Sequence, residues 1–87
     1  MFCMIKKEET EVPFICSIDV GYFKYRRSIR VCIVEFDVDH FRDILFSELS
    51  VSFPERLSSA VIKRRAEYLA GRIAAQRLLK EEGRYAL

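Results

Sequence analysis

From about Val61 to Glu82 the chain is one run of strong helix formers, and this run constrains everything upstream of it. Its apolar residues Ala66, Leu69, Ala70, Ile73, Ala74 and Leu78 recur at spacings of three and four. A helix with such a continuous stripe must lay it on another layer of structure. Gly83 stands where a carboxy-terminal cap is expected. The covering layer has to come from the residues before Val61, because 87 residues make one small domain, 1–87, near the lower limit of what folds alone.

Two upstream segments have the character of strands. Val12, Phe14, Cys16, Ile18 and Val20 alternate with more polar neighbours, the pattern of a half-buried strand. After Gly21 and the basic, aromatic connection YFKYRRS comes Ile29 to Val38, apolar on both parities from Val31 to Val34. That suggests a strand covered on both faces, or the inner strand of a small sheet. Asp37 or Asp39 is placed to cap a short helix reaching Glu48, with Phe41, Ile44, Leu45 and Leu49 on one side. Ser52 and Pro54 mark another helix start, with Pro54 to Val61 as a possible separate turn. The fold class expected is α+β, a small antiparallel strand pair or sheet against a long carboxy-terminal helix.

An apolar share of 51% argues against a disordered chain. No apolar run is long enough to span a bilayer, and the start has no signal-peptide stretch, so a cytoplasmic protein is expected. Cys3, Cys16 and Cys32 lack metal-ligand spacing and suggest no disulfide framework. Cys16 and Cys32 read as small buried hydrophobes.

Charge is where function begins to show. From Pro54 onward Arg56, Lys63, Arg64, Arg65, Arg72, Arg77, Lys80 and Arg84 face only Glu55, Glu67, Glu81 and Glu82, an excess of +4 in a chain whose net charge is +2. An anionic partner is expected there. Lys63, Arg64 and Arg65 oppose the helix dipole, which favours anions at that end. Arg64, Tyr68 and Arg72 recur every four residues and share one side of the helix. Backbone N–H groups at the helix start and these side chains together suit a phosphate, although a basic amphipathic helix also serves simply as a solvated face. Gly71, costly inside a helix, hints at a place where a side chain would be in the way.

KRRAEYLAGRIAA, Lys63 to Ala75, resembles the amino-terminal motif of the 4′-phosphopantetheinyl transferases of the enterobactin-synthase type. In that motif a basic pair precedes a Glu, then LAGR and small residues. VEFD at Val34 to Asp37, Phe41, the helix led by Pro54, and LLKEEG from Leu79 extend the likeness over about Val31 to Gly83. The resemblance implies an enzyme of siderophore or other nonribosomal peptide synthesis that moves the phosphopantetheine arm of coenzyme A to a serine of an acyl or peptidyl carrier protein. It implies contacts from Arg64 and Arg72 to coenzyme A phosphates, with Lys63 and Arg65 enlarging the positive rim. Glu67 is expected to pair with a nearby Arg, and Tyr68 to pack rather than stack on adenine.

The family's pattern continues with a Trp-Pro strand, a Ser-x-x-His segment, an acidic Asp-x-Glu strand and a Lys-Glu helix. The last two supply the metal ligands and the general base. No match to them is found up to Leu87, so the carboxy-terminal catalytic half is expected to be absent, no catalytic residue is assigned, and the ligands of the Mg²⁺ used by the complete enzyme are not expected in this chain. Glu35 and Asp37 mimic the Asp-x-Glu spacing but precede the long helix, so metal binding is not assigned to them. His40 is expected to cap or to be exposed. Partners expected are the missing half, the carrier protein, or a second copy through surface the missing half would cover. The alternative class is a small basic nucleic-acid-binding or protein-interaction module, with YFKYRR at Tyr22 to Arg27 as a minor candidate for nucleic acid.

Overall fold

The computed structural model describes residues 2–8 and 10–85. Three antiparallel strands, β1 (Phe2–Glu8), β2 (Ile15–Phe23) and β3 (Arg26–Phe36), form a sheet in the order β1-β2-β3. They are followed by α1 (Ile44–Glu48) and the 24-residue helix α2 (Ile62–Tyr85), so the fold is α+β as expected.

The strand β1 was not expected, because FCMIKKE shows neither clean alternation nor a β-branched run. Its presence moves β2 to the centre of the sheet and leaves β3 at an edge, which corrects the reading of β3 as an inner strand. Mixed apolar parity in β3 therefore reflects something other than cover on both faces. Cys32, Val34 and Phe36 pack against the core, while Ile33 is exposed on the opposite face. The alternation expected from Val12 to Val20 is also broken. Phe14 and Ile15 are both buried, and Cys16 is exposed rather than buried. A register shift between Ile15 and Ser17 is the cause: one extra residue turns Cys16 away from the core face.

The expected helix from Asp37 to Glu48 is instead two short pieces. A 3-10 turn, Val38–His40, is capped by the Asp37 carboxylate, which accepts from the Asp39 N–H at 3.0 Å. Helix α1 then buries Leu45 and Phe46, while Ile44 faces solvent. It ends in a Schellman arrangement: Ser50, at φ 57°, donates to the Ser47 carbonyl, and the Val51 N–H donates to the Phe46 carbonyl at 2.8 Å. Pro54 leads a separate 3-10 turn, Glu55–Leu57, which anchors itself through the buried Leu57.

The stripe on α2 falls where expected. Ala66, Leu69, Ala70 and Ile73 are buried against Phe14, Ile18 and the α1 region, and Ala74 and Leu78 are half-buried. Gly83 does not end the helix, which continues to Tyr85. A glycine's αL preference is permissive, and helix formers on both sides of it carry the run through.

Arg77 fastens α2 to the first strand. Its guanidinium donates to both carboxylate oxygens of Glu8, at 2.7 and 2.9 Å, across 69 residues of sequence. That hydrogen-bonded pair holds the Glu8 carboxyl below its ordinary pKa of 4.5, against the opposing effect of burial. A depressed carboxylate contributes stability that is fully present above its unfolded pKa and lost as pH falls through its folded one. Arg77→Ala is expected to cost about 1–2 kcal/mol at neutral pH. Urea midpoints compared at pH 7 and pH 3 check it: the difference between variant and parent shrinks at the lower pH. A difference unchanged between the two would show that the pair contributes no charge-dependent stability.

Candidate anion site on the long helix

The first turn of α2 contains no acid, so nothing within it offsets the three bases there. Lys63 and Arg64 are exposed, as is Arg72 two turns further on. Among the described residues none of these three cations has an ion pair or hydrogen-bond partner. A helix advances about 100° per residue, so Arg64, Tyr68 and Arg72 drift slowly around one side and form a strip. Lys63 stands half a turn around the axis from Arg72 by the same arithmetic. It adds to the local field without sharing the strip.

Arg65 is placed differently from its neighbours. Its side chain turns toward the preceding turn and donates to the carbonyls of Leu57 and Ser58 and to the Asp43 carboxylate. The guanidinium also lies 5.7 Å from the centre of the Phe53 ring. Three of its donors are thus engaged inside the chain, and it is not a free arm beside Arg64 and Arg72.

Tyr68 sits in the middle of the strip, half-buried, with its ring stacked on Phe46 at 6.2 Å and 23°. It packs against the core, as expected. Over the same ring lies Arg56, its guanidinium carbon 5.6 Å from the centroid. Arg56 is the residue that sequence reasoning counted as charge and did not assign to the site. Residues 58–61, between the 3-10 turn and α2, are not helical, so helical spacing was blind to the contact. The cation–π signature, an Arg within reach of an aromatic, appears only once the turn is folded back.

Glu67 is exposed and has no ion pair among the described residues, so the expected pairing with a nearby Arg is not made. His40 is exposed, with Nδ1 2.8 Å from Asp37 Oδ2. This contact and the Asp39 N–H hold the Asp37 carboxyl below its usual range. Asp37 is thus a cap. Among the described residues no three His, Cys, Asp or Glu side chains converge as a metal site. The acids among the described residues therefore do not make a Mg²⁺ site. Among the described residues no helix is long and apolar enough to cross a membrane.

Gly71 opens the strip outward. A Cβ built on it meets nothing within 4 Å, so within this chain no side chain would be in the way. Gly71→Ala is accordingly expected to stabilise the isolated chain by up to about 1 kcal/mol through helix propensity. Thermal unfolding of the two chains checks it; a lower melting temperature for the alanine variant would reveal an internal contact at this position.

The family-model match lies on this helix and its approach. Residues 53–86 match the family model of the 4′-phosphopantetheinyl transferase N-terminal domain. Enterobactin synthase component D of Salmonella typhimurium (strain LT2) is 48% identical over 54 residues, which cover 62% of this chain and 22% of that protein. The match thus spans less than a quarter of the relative's length. No solved structure matches the chain significantly.

Proposed function

We infer, from the premise that residues 53–86 are a 4′-phosphopantetheinyl transferase N-terminal sequence, that this chain provides the phosphate-holding side of a coenzyme A site. The enzyme it would serve moves the phosphopantetheine arm to a serine of a carrier protein, of the kind used in enterobactin synthesis. The serine hydroxyl gives its proton to a base of the carboxy-terminal part, its oxygen forms a bond to the β-phosphorus of coenzyme A, the bond from that phosphorus to the bridging oxygen breaks, and 3′,5′-ADP leaves with the electron pair.

One observation carries the reading. Arg64 and Arg72 are exposed and without a partner among the described residues, and they flank a tyrosine that carries a third guanidinium, Arg56. Three forks around one strip match a ligand with a pyrophosphate and a separate phosphate, because each fork binds two oxygens of an oxyanion at once. Their task is to bind and orient the pyrophosphate and to offset charge on the departing group. The carboxy-terminal part of the family's pattern, together with this chain, makes the proposed working enzyme. The basic-module alternative gains no observation: Lys24 lies in the turn between β2 and β3 and Arg26 opens β3, so neither extends the basic strip of α2.

Titration of the 87-residue chain with coenzyme A tests the reading. Saturable binding is expected that weakens as salt rises, and that is stronger than binding to an oligonucleotide of equal charge at the same salt. Equal or tighter binding of the oligonucleotide would replace the reading with a nucleic-acid one.

A further inference from the structure

Arg65 has more hydrogen bonds to the rest of the chain than any other base on the first turns of α2. Its Nε donates to the Leu57 carbonyl at 3.0 Å, Nη2 to the Ser58 carbonyl at 2.6 Å, and Nη1 to Asp43 at 2.7 Å. Both carbonyls lie at the end of the 3-10 turn Glu55–Leu57, and that of Leu57 also accepts from the Ala60 N–H. That turn is otherwise held by three local backbone bonds, Leu57 to Pro54, Ser58 to Glu55 and Ala60 to Leu57, and by the buried Leu57 side chain. Arg65 adds a restraint on the turn from α2, because its planar fork meets two successive carbonyls while Asp43 holds its far edge.

The middle residue of the turn is Arg56, whose described contact is the cation–π one with Tyr68. We propose that Arg65 is a positioning residue: it locks the Glu55–Leu57 turn against α2 so that Arg56 lies over Tyr68, between Arg64 and Arg72, as the third arm of the anion site. This rests on the coenzyme A reading above. It separates three adjacent bases by role: Arg64 faces the ligand, Lys63 adds field, and Arg65 works through Arg56.

The test uses the 87-residue chain, with Arg65→Ala, Arg65→Lys, Arg56→Ala and the double variant Arg56→Ala/Arg65→Ala. Two readouts are followed by NMR: the Arg56 Nε–Hε resonance, displaced by the Tyr68 ring, and amide exchange at Ser58 and Ala60. Coenzyme A affinity is the third. Arg65→Lys keeps the charge yet cannot reach all three acceptors. It is expected to lose the displaced Arg56 signal, speed exchange at Ser58 and Ala60, and weaken coenzyme A about three- to tenfold, the effect of losing a good part of one charged contact. In the Arg56→Ala background the change at Arg65 is expected to add less than about twofold, the coupling that marks residues acting as a unit. Full additivity, or full affinity in Arg65→Lys, would overturn the proposal in favour of direct contact or simple charge. An undisplaced turn in Arg65→Lys, by signal and exchange, would overturn it as well. If the parent chain shows no coenzyme A binding, the functional reading fails, and the Arg56 signal and amide exchange still decide whether Arg65 sets the turn. Should Arg65→Ala fail to fold, the lysine variant carries the same comparisons.

Discussion

Gly21→Val is expected to unfold this chain, and Gly21→Ala to weaken it severely. Gly21 is buried at the centre of the sheet, paired with Met4 on β1 and Val31 on β3. A Cβ at this position would collide with the backbone oxygen of Cys3, and two carbons of the Phe2 ring would lie 2.7 Å away. Phe2 could turn aside, but the Cys3 carbonyl belongs to the β1 ladder and cannot withdraw without parting the strands. Overpacking a tight site typically costs about 1–3 kcal/mol for one added carbon, and the branched valine adds two more. A domain this small has a total stability on the order of 5 kcal/mol, so the valine variant has little left. Urea unfolding followed by circular dichroism measures both. A Gly21→Ala midpoint equal to that of the parent would mean that β1 does not pair with β2 in this register.

Losing both Arg64 and Arg72 is the largest functional effect expected. Each charged contact is worth about 1.5–3 kcal/mol, so Arg64→Ala or Arg72→Ala alone should raise the coenzyme A requirement about tenfold or more. The residues stand two turns apart on α2, about 12 Å along its axis, so their effects should nearly add, to about a hundredfold or more in the pair. The measurement joins this chain to the carboxy-terminal part of a related transferase and follows carrier modification by mass while coenzyme A is varied. Lys80→Ala, exposed near the far end of the helix, is the control and should leave the requirement unchanged. Comparing coenzyme A with dephospho-coenzyme A then assigns each arginine. A residue on the 3′-phosphate loses its effect with the dephospho form, and one on the pyrophosphate keeps it. If neither substitution moved the requirement in a folded chimera, α2 would not be the phosphate-binding helix.

The long helix, its buried stripe and its basic first turns are local properties, and they were legible because helical spacing converts sequence position directly into direction. Ala66, Leu69, Ala70 and Ile73 had to share a face whatever covered them, and Arg64 and Arg72 had to share another. The Pro54 turn was legible too, since proline presets its own backbone angle. What surrounds these elements followed no such local rule. β1 exists because β2 offers it a paired edge and Gly21 lets Phe2 lie across the strand, a bargain struck between residues about twenty positions apart. Cys16 faces outward because of one bulge, and β3 is an edge because β1 occupies the other side of β2.

The same division runs through the candidate site. Sequence alone determined which residues are cationic and which of them lie on one strip of α2, because charge and helical phase are intrinsic to the chain. Only the tertiary structure decided which cations are free. It engaged Arg65 with two carbonyls and Asp43, spent Arg77 on Glu8, and brought Arg56 over Tyr68 through a turn that no periodicity describes. A guanidinium has five donors and takes whichever acceptors folding places within reach, so its role is fixed by its neighbours in space.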